Sequence, residues 1–126
     1  MFIILFGPFY QSHLPEVPLT DKIVVLSTAG SVEEAAAIAR RLVESRLAAC
    51  VNLVPGVTSI YRWQDAIEES PECLMVIKTR RECFAALREE IGKAHSYSVP
   101  EVISLAVVDG SPAYLEWLDR ETQAGS

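Results

Sequence analysis

Ala48-Ala-Cys-Val-Asn-Leu-Val-Pro-Gly-Val-Thr-Ser-Ile-Tyr-Arg-Trp63 is the stretch on which the fold turns. Val51 and Leu53 share one parity, and Val57, Ser59, Tyr61 and Trp63 keep it beyond Pro55-Gly56, which is the period of an extended strand. Proline donates no ladder hydrogen bond and glycine accepts bulge geometry. Pro55-Gly56 therefore reads as a bulge or bend inside one long strand rather than as a hairpin tip. The turn falls next, at Gln64-Asp-Ala66, because Cys73-Leu-Met-Val-Ile77 is strand-like again and ends at Lys78-Thr79.

Working outward from this hairpin, Ile23-Val-Val-Leu26 is a short apolar run of the kind a buried strand shows, and it stops at Ser27-Thr-Ala-Gly30. Ser31 and Glu34 then form a capping-box pattern, and Ala35, Ile38, Ala39, Leu42 and Val43 recur at helical spacing. On the other side Thr79 and Glu82 repeat the capping box, Phe84, Leu87 and Ile91 make an apolar stripe, and Gly92 marks the helix end. A loop with His95, Tyr97 and Pro100 leads to a fourth strand at Val102–Val108, closed by Asp109-Gly110. Ser111 as N-cap and Pro112 at the first helical position open a last helix through Tyr114, Leu115 and Leu118. The order β-α-β-β-α-β-α is that of an α+β, ferredoxin-like split βαβ fold with an added C-terminal helix. Helices cover one face of such a sheet. The other face, with Tyr61 and Trp63 near the hairpin tip, predicts self-association.

A chain of 126 residues, half of them hydrophobic, buries one core. We assign 21–121 to that domain, 1–20 to an irregular N-terminal extension or linker, and 122–126 to a tail. The apolar start, Met1 to Tyr10, lacks a basic flank and is broken by Gly7-Pro8, so it reads as neither signal peptide nor membrane span; one use for it is as a docking arm. With 17 acidic against 11 basic residues and no Lys/Arg run longer than two, a nucleic-acid footprint is missing. Cys50, Cys73 and Cys83 suggest neither a disulfide framework nor a metal motif, and read as free thiols in a reducing cytoplasm, with Cys50 a small buried hydrophobe. The signature motifs of hydrolases, P-loop proteins, zinc proteases and dinucleotide enzymes are absent, so the chain reads as a non-enzyme.

Four separated segments, Ala48–Trp63, Ile77-Lys-Thr79, Tyr97-Ser-Val-Pro-Glu101 and Tyr114-Leu-Glu-Trp117, together resemble the CutA family of divalent-cation tolerance proteins over roughly residues 22–120. The resemblance implies a homotrimer whose sheets pack around a threefold axis, like the trimeric PII signalling proteins in architecture. It also implies a role in tolerance to, or binding of, divalent metal ions, notably copper. The ligands that it suggests for copper fall on positions 27, 94 and 95. Ser27 and Ala94 stand where some relatives carry Cys and His, so His95 alone is retained, and hydroxyl and methyl lack the softness that selects copper.

The richest chemistry lies in His95-Ser-Tyr-Ser-Val-Pro-Glu101, where an imidazole, a phenol and a carboxylate suit a cation or a small ligand bearing an anion. The same residues also fit a tight interface loop. Our expected ligand site is an inter-subunit cleft lined by Tyr61, Trp63, Lys78, His95, Tyr97, Glu101 and Trp117, although aromatic residues at such spacing also serve as interface anchors. Lys78 and Arg62 would orient a carboxylate or phosphate there, or pair with Glu68 or Glu69. Two alternatives stay open: an enzyme with His95 as general base and Glu101 as its orienter, and a trimeric scaffold anchoring a partner protein.

Overall fold

The computed structural model describes residues 20–123. The extension short of Thr20, with its apolar arm, and positions 124–126 of the tail lie outside the described residues. Four strands, β1 (Lys22–Ala29), β2 (Cys50–Trp63), β3 (Ala66–Arg80) and β4 (Ile103–Ala106), form one antiparallel sheet in the order β2-β3-β1-β4. Helices α1 (Val32–Glu44), α2 (Phe84–Ala94) and α3 (Pro112–Glu121) follow β1, β3 and β4. This is the ferredoxin-like α+β arrangement, with α3 as the addition.

Alternation along the two central strands decides which side becomes the core. Ile23, Val25, Ser27 and Ala29 of β1 and Cys73, Met75, Ile77 and Thr79 of β3 are buried beneath the helices. They meet Ala35, Ile38 and Leu42 of α1 and Leu87 and Ile91 of α2, and each large aliphatic side chain buried there contributes about 1.5–3 kcal/mol. The opposite face is also apolar, and among the described residues it is bare. Val24 and Leu26 lie in register with Leu105 and Ile103 on one side and with Lys78 and Val76 on the other. Ile103 and Leu105 are about half exposed.

The bulge in β2 is where the sequence suggested, and it has a consequence that periodicity alone hid. Val54 pairs with Leu74 and Val57 with Glu72, so β2 spends three steps against two on β3. Gly56 supplies the left-handed backbone at φ 78. The extra residue inverts the parity. Val51 and Leu53 pack on the core, while Val57, Ser59, Tyr61 and Trp63, odd-numbered like them, come to the opposite face. The hairpin closes through Gln64 and Asp65, both at positive φ (50 and 66), as a two-residue turn whose twist matches the strands.

Several boundaries differ from the sequence reading. β3 begins seven residues before Cys73, because Ala66-Ile-Glu-Glu-Ser-Pro-Glu, poor in strand formers, is recruited by the β2 arm opposite it. Thr79 does not cap α2. It is still in β3, where its hydroxyl donates to Leu47 O at 2.6 Å, and Glu82 pairs with Arg80 instead. A single 3-10 turn, Arg81–Cys83, makes the transition into α2. Gly92 does not end that helix, which runs on to Ala94. β4 is shorter than the apolar run 102–108, although the ladder continues from Val107 N to Lys22 O (3.1 Å).

The last helix is held by charge as well as by Leu118. Buried Arg80 donates through Nε to Thr122 Oγ1 (2.8 Å) and through Nη2 to Thr122 O (2.9 Å). Lys22, also buried, pairs with Asp21 and, at 3.3 Å, with Asp119. Burial opposes the ammonium, but these two carboxylates hold the Lys22 pKa above its ordinary value.

Candidate functional site

The site is assembled where β1 ends, the α1 N-terminus begins and the segment after α2 crosses both. Ser31 caps α1 by accepting from Glu34 N (3.1 Å). The expected reciprocal half of the box is used elsewhere. The Glu34 carboxylate accepts from Ser96 N (2.8 Å) and from the Ser96 hydroxyl (3.0 Å), which pins the loop to the helix. Burial pushes the Glu34 pKa up, yet these two bonds and the neighbouring His95 hold it below the ordinary carboxylate range.

His95 is the buried hub of this loop. Its Nε2 lies 2.7 Å from Thr28 O, and Tyr97 N donates to its Nδ1 at 3.0 Å. A carbonyl only accepts and an amide only donates, so Nε2 carries the proton and both ring nitrogens are engaged. The nearest carboxylate is Glu34, at 3.5 Å from Nδ1, and not Glu101. That removes the orienting pair on which a general base at His95 would have rested.

Tyr97 leaves this hub with its ring 4.5 Å from the imidazole and its hydroxyl donating to Glu72 Oε2 at 2.7 Å. This hydrogen bond, with burial and the carboxylate charge behind it, pushes the phenol pKa up to about 12. The chain passes close to Gly30, where a Cβ would sit 3.4 Å from the Tyr97 oxygen. Beside Tyr97 opens a cavity of about 550 Å³ that brings together Tyr61, Trp63, Tyr97 and Glu101 with Glu72 and Thr28. Ser59, Ile60, Ser98 and Val99 complete its wall.

Four of the expected cleft residues thus meet within one chain, and the bulge is the reason that Tyr61 and Trp63 face Tyr97. Lys78 and Trp117 are not among them. Lys78 lies on the open sheet face, bonded to Asn52 and 3.9 Å from Cys50 Sγ, rather than paired with Glu68 or Glu69. Trp117 stacks on Tyr114 within α3, their rings 5.4 Å apart. Cys50 is only half-buried, because its strand position places it on the open face beside Lys78. Glu34, Glu72 and Thr28 were not singled out from the sequence. The only available signal was the capping-box glutamate, and nothing local distinguishes Glu72 from Glu68 or Glu69.

Comparison with known proteins bears on this arrangement. The family model described as "CutA1 divalent ion tolerance protein" matches residues 23–121. The chain belongs to the CutA1 family. It is 50% identical over 99 residues to the "Divalent-cation tolerance protein CutA" of Thermus thermophilus, a match covering 79% of this chain and 96% of that protein. Against mouse "Protein CutA" it is 52% identical over 89 residues, 71% of this chain and 50% of the relative, so it spans about half the length of that protein. The solved Thermus thermophilus structure described as "Divalent cation tolerance protein (Cut A1)" superposes with a TM-score of 0.80 at 48% identity, covering 81% of this chain and 99% of the other.

The family's association with divalent ions invites a test of the residues that would hold one. Ser27 is fully buried and its hydroxyl has no hydrogen-bond partner among the described residues. Position 94 offers a methyl group, and a metal at His95 would have to displace either the Thr28 or the Tyr97 bond. Among the described residues no group of three or more His, Cys, Asp or Glu is placed to hold a metal ion. In this chain the soft-ligand set for copper does not fit. No helix among the described residues is long and apolar enough to cross a membrane.

Proposed function

We propose that this CutA1-family chain is a homotrimeric binding or sensor protein of the cytoplasm, not a catalyst, with a small ligand held in a cleft between subunits. The observation that carries the reading is the open sheet face, where Leu26, Leu74, Val76, Ile103 and Leu105 have no covering layer among the described residues, lying next to a cavity whose outer wall is the projecting β2–β3 hairpin. A second subunit packed on that face would cover the apolar strands and deepen the cavity in one step. Binding rather than turnover is favoured by the engagement of both His95 nitrogens. The cytoplasmic placement is favoured by three free thiols.

A divalent cation is the second reading, carried by the names of the relatives. In this chain Glu72 and Glu101, which are hard oxygen donors, would be its ligands in place of a thiolate and two imidazoles. Light scattering on the eluting protein tests the assembly. A mass three times the 13.9 kDa of the chain is expected, and a monomer at micromolar concentration sinks the cleft reading. Calorimetric titration with copper and zinc, repeated on His95→Ala, tests the metal. Heat abolished by that substitution would restore His95 as a ligand.

A further inference from the structure

We propose that the cavity beside Tyr97 selects an organic cation, an ammonium or guanidinium group carried on an apolar body. The inference rests on the cleft reading above and names its ligand class. Two carboxylates, Glu72 and Glu101, and three aromatic rings, Tyr61, Trp63 and Tyr97, line the space, and no Lys, Arg or His is in its wall among the described residues of this chain. Glu101 makes no hydrogen bond or ion pair among the described residues, and Glu72 uses one oxygen on Tyr97 and keeps the other. Aromatic faces carry negative quadrupole charge, so rings and carboxylates attract the same sign and repel an anion.

The nearby bases do not reverse this. Arg62, in register with Ile67 near the hairpin tip, is not among the described residues of the wall. Lys78 is tied to Asn52 on the sheet. His95 lies behind Tyr97 with both nitrogens used. Size argues in the same direction. About 550 Å³ falls within the range of small-molecule sites and far exceeds a bare ion, so the apolar wall around Ile60 and Val99 has room for the body of the cation.

The test uses the full chain at trimer mass and three probes of one shape: phenethylammonium, phenylethanol and phenylacetate. Binding is followed by calorimetry and by the indole N–H resonances of the two tryptophans, with Trp63→Ala assigning the signal. The cation is expected to bind and shift Trp63, and its affinity to fall with added salt. Glu101→Gln and Trp63→Ala, both at exposed positions, should each weaken it about tenfold. If phenylacetate or phenylethanol shifts Trp63 as strongly at equal concentration, the charge class is wrong while the cleft survives. If Glu101→Gln leaves cation affinity unchanged, the charge argument fails. If none of the three moves Trp63 in a protein of trimer mass, the cleft falls as well.

Discussion

Replacing Ser27 by alanine is expected to make the protein more stable, against the usual direction of core substitutions. Ser27 faces the core between Val25 and Ala29, opposite Met75, fully buried, with a hydroxyl that reaches no partner among the described residues. An unbonded buried hydroxyl costs about 1–3 kcal/mol by mutational measures. Its removal leaves a void on the order of 15 Å³, which at about 24 cal/mol per Å³ returns roughly 0.4 kcal/mol of that gain. A net stabilisation of about 1 kcal/mol remains, equivalent to a rise of roughly 4 °C in the thermal midpoint for a domain of this size. Wild type, Ser27→Ala and Ser27→Thr should be unfolded by heat and by denaturant at equal protein concentration, since assembly couples concentration to stability. The threonine variant keeps the hydroxyl and adds a methyl to a packed site, so its midpoint should fall. A midpoint that falls in Ser27→Ala would show that the hydroxyl is bonded in solution and would refute the reasoning.

Three further outcomes follow from the loop. His95→Ala removes two hydrogen bonds and a buried ring, and should cost about 2–4 kcal/mol in denaturant unfolding; a loss under roughly 0.5 kcal/mol would contradict its role as the hub. In a phenolate absorbance titration, one of the four tyrosines should ionise near 12, and either Tyr97→Phe or Glu72→Gln should abolish that late step. Because the folded pKa of Tyr97 is raised, its contribution to stability is complete below pH 10 and is lost as pH climbs toward about 12. Glu34 has the opposite sign: its folded pKa is depressed, so its contribution is present above its ordinary value of 4.5 and is lost as pH falls below that through the folded value. Glu34→Gln should flatten the acid limb of the stability profile, with Asp21, also depressed by its Lys22 partner, supplying the remaining slope. An unchanged limb would remove Glu34 as the loop's tether.

The elements were legible in the chain to different degrees, for identifiable reasons. The strand around Val25, the helix capped by Ser31 and the helix opened by Pro112 have local signals that agree with their tertiary setting, and these stand where the pattern puts them. The outer half of β3 does not, because Glu68, Glu69 and Pro71 have poor strand preference and are extended only through pairing with Tyr61, Ile60 and Thr58. The Thr79–Glu82 cap failed for a similar reason. Strand pairing with Ile23 keeps Thr79 extended, and Leu47 O, distant in sequence, satisfies its hydroxyl.

For the site, the chain itself determined the reactive inventory: the His95–Glu101 segment, the aromatic pair Tyr61 and Trp63, the Pro55-Gly56 bulge, and Ser27 and Ala94 where the family's soft ligands would stand. The first three are facts of side-chain type and spacing; the last is what the resemblance to the family implies for copper. Tertiary structure decided who meets whom. The bulge turned Tyr61 and Trp63 toward Tyr97, Thr28 O and Tyr97 N took the two ring nitrogens of His95 that sequence offered to a ligand, and Glu72 joined a site from which Lys78 and Trp117 were left apart. Register across a sheet and the partners of a buried ring depend on residues dozens of positions away, and local periodicity carries no record of them.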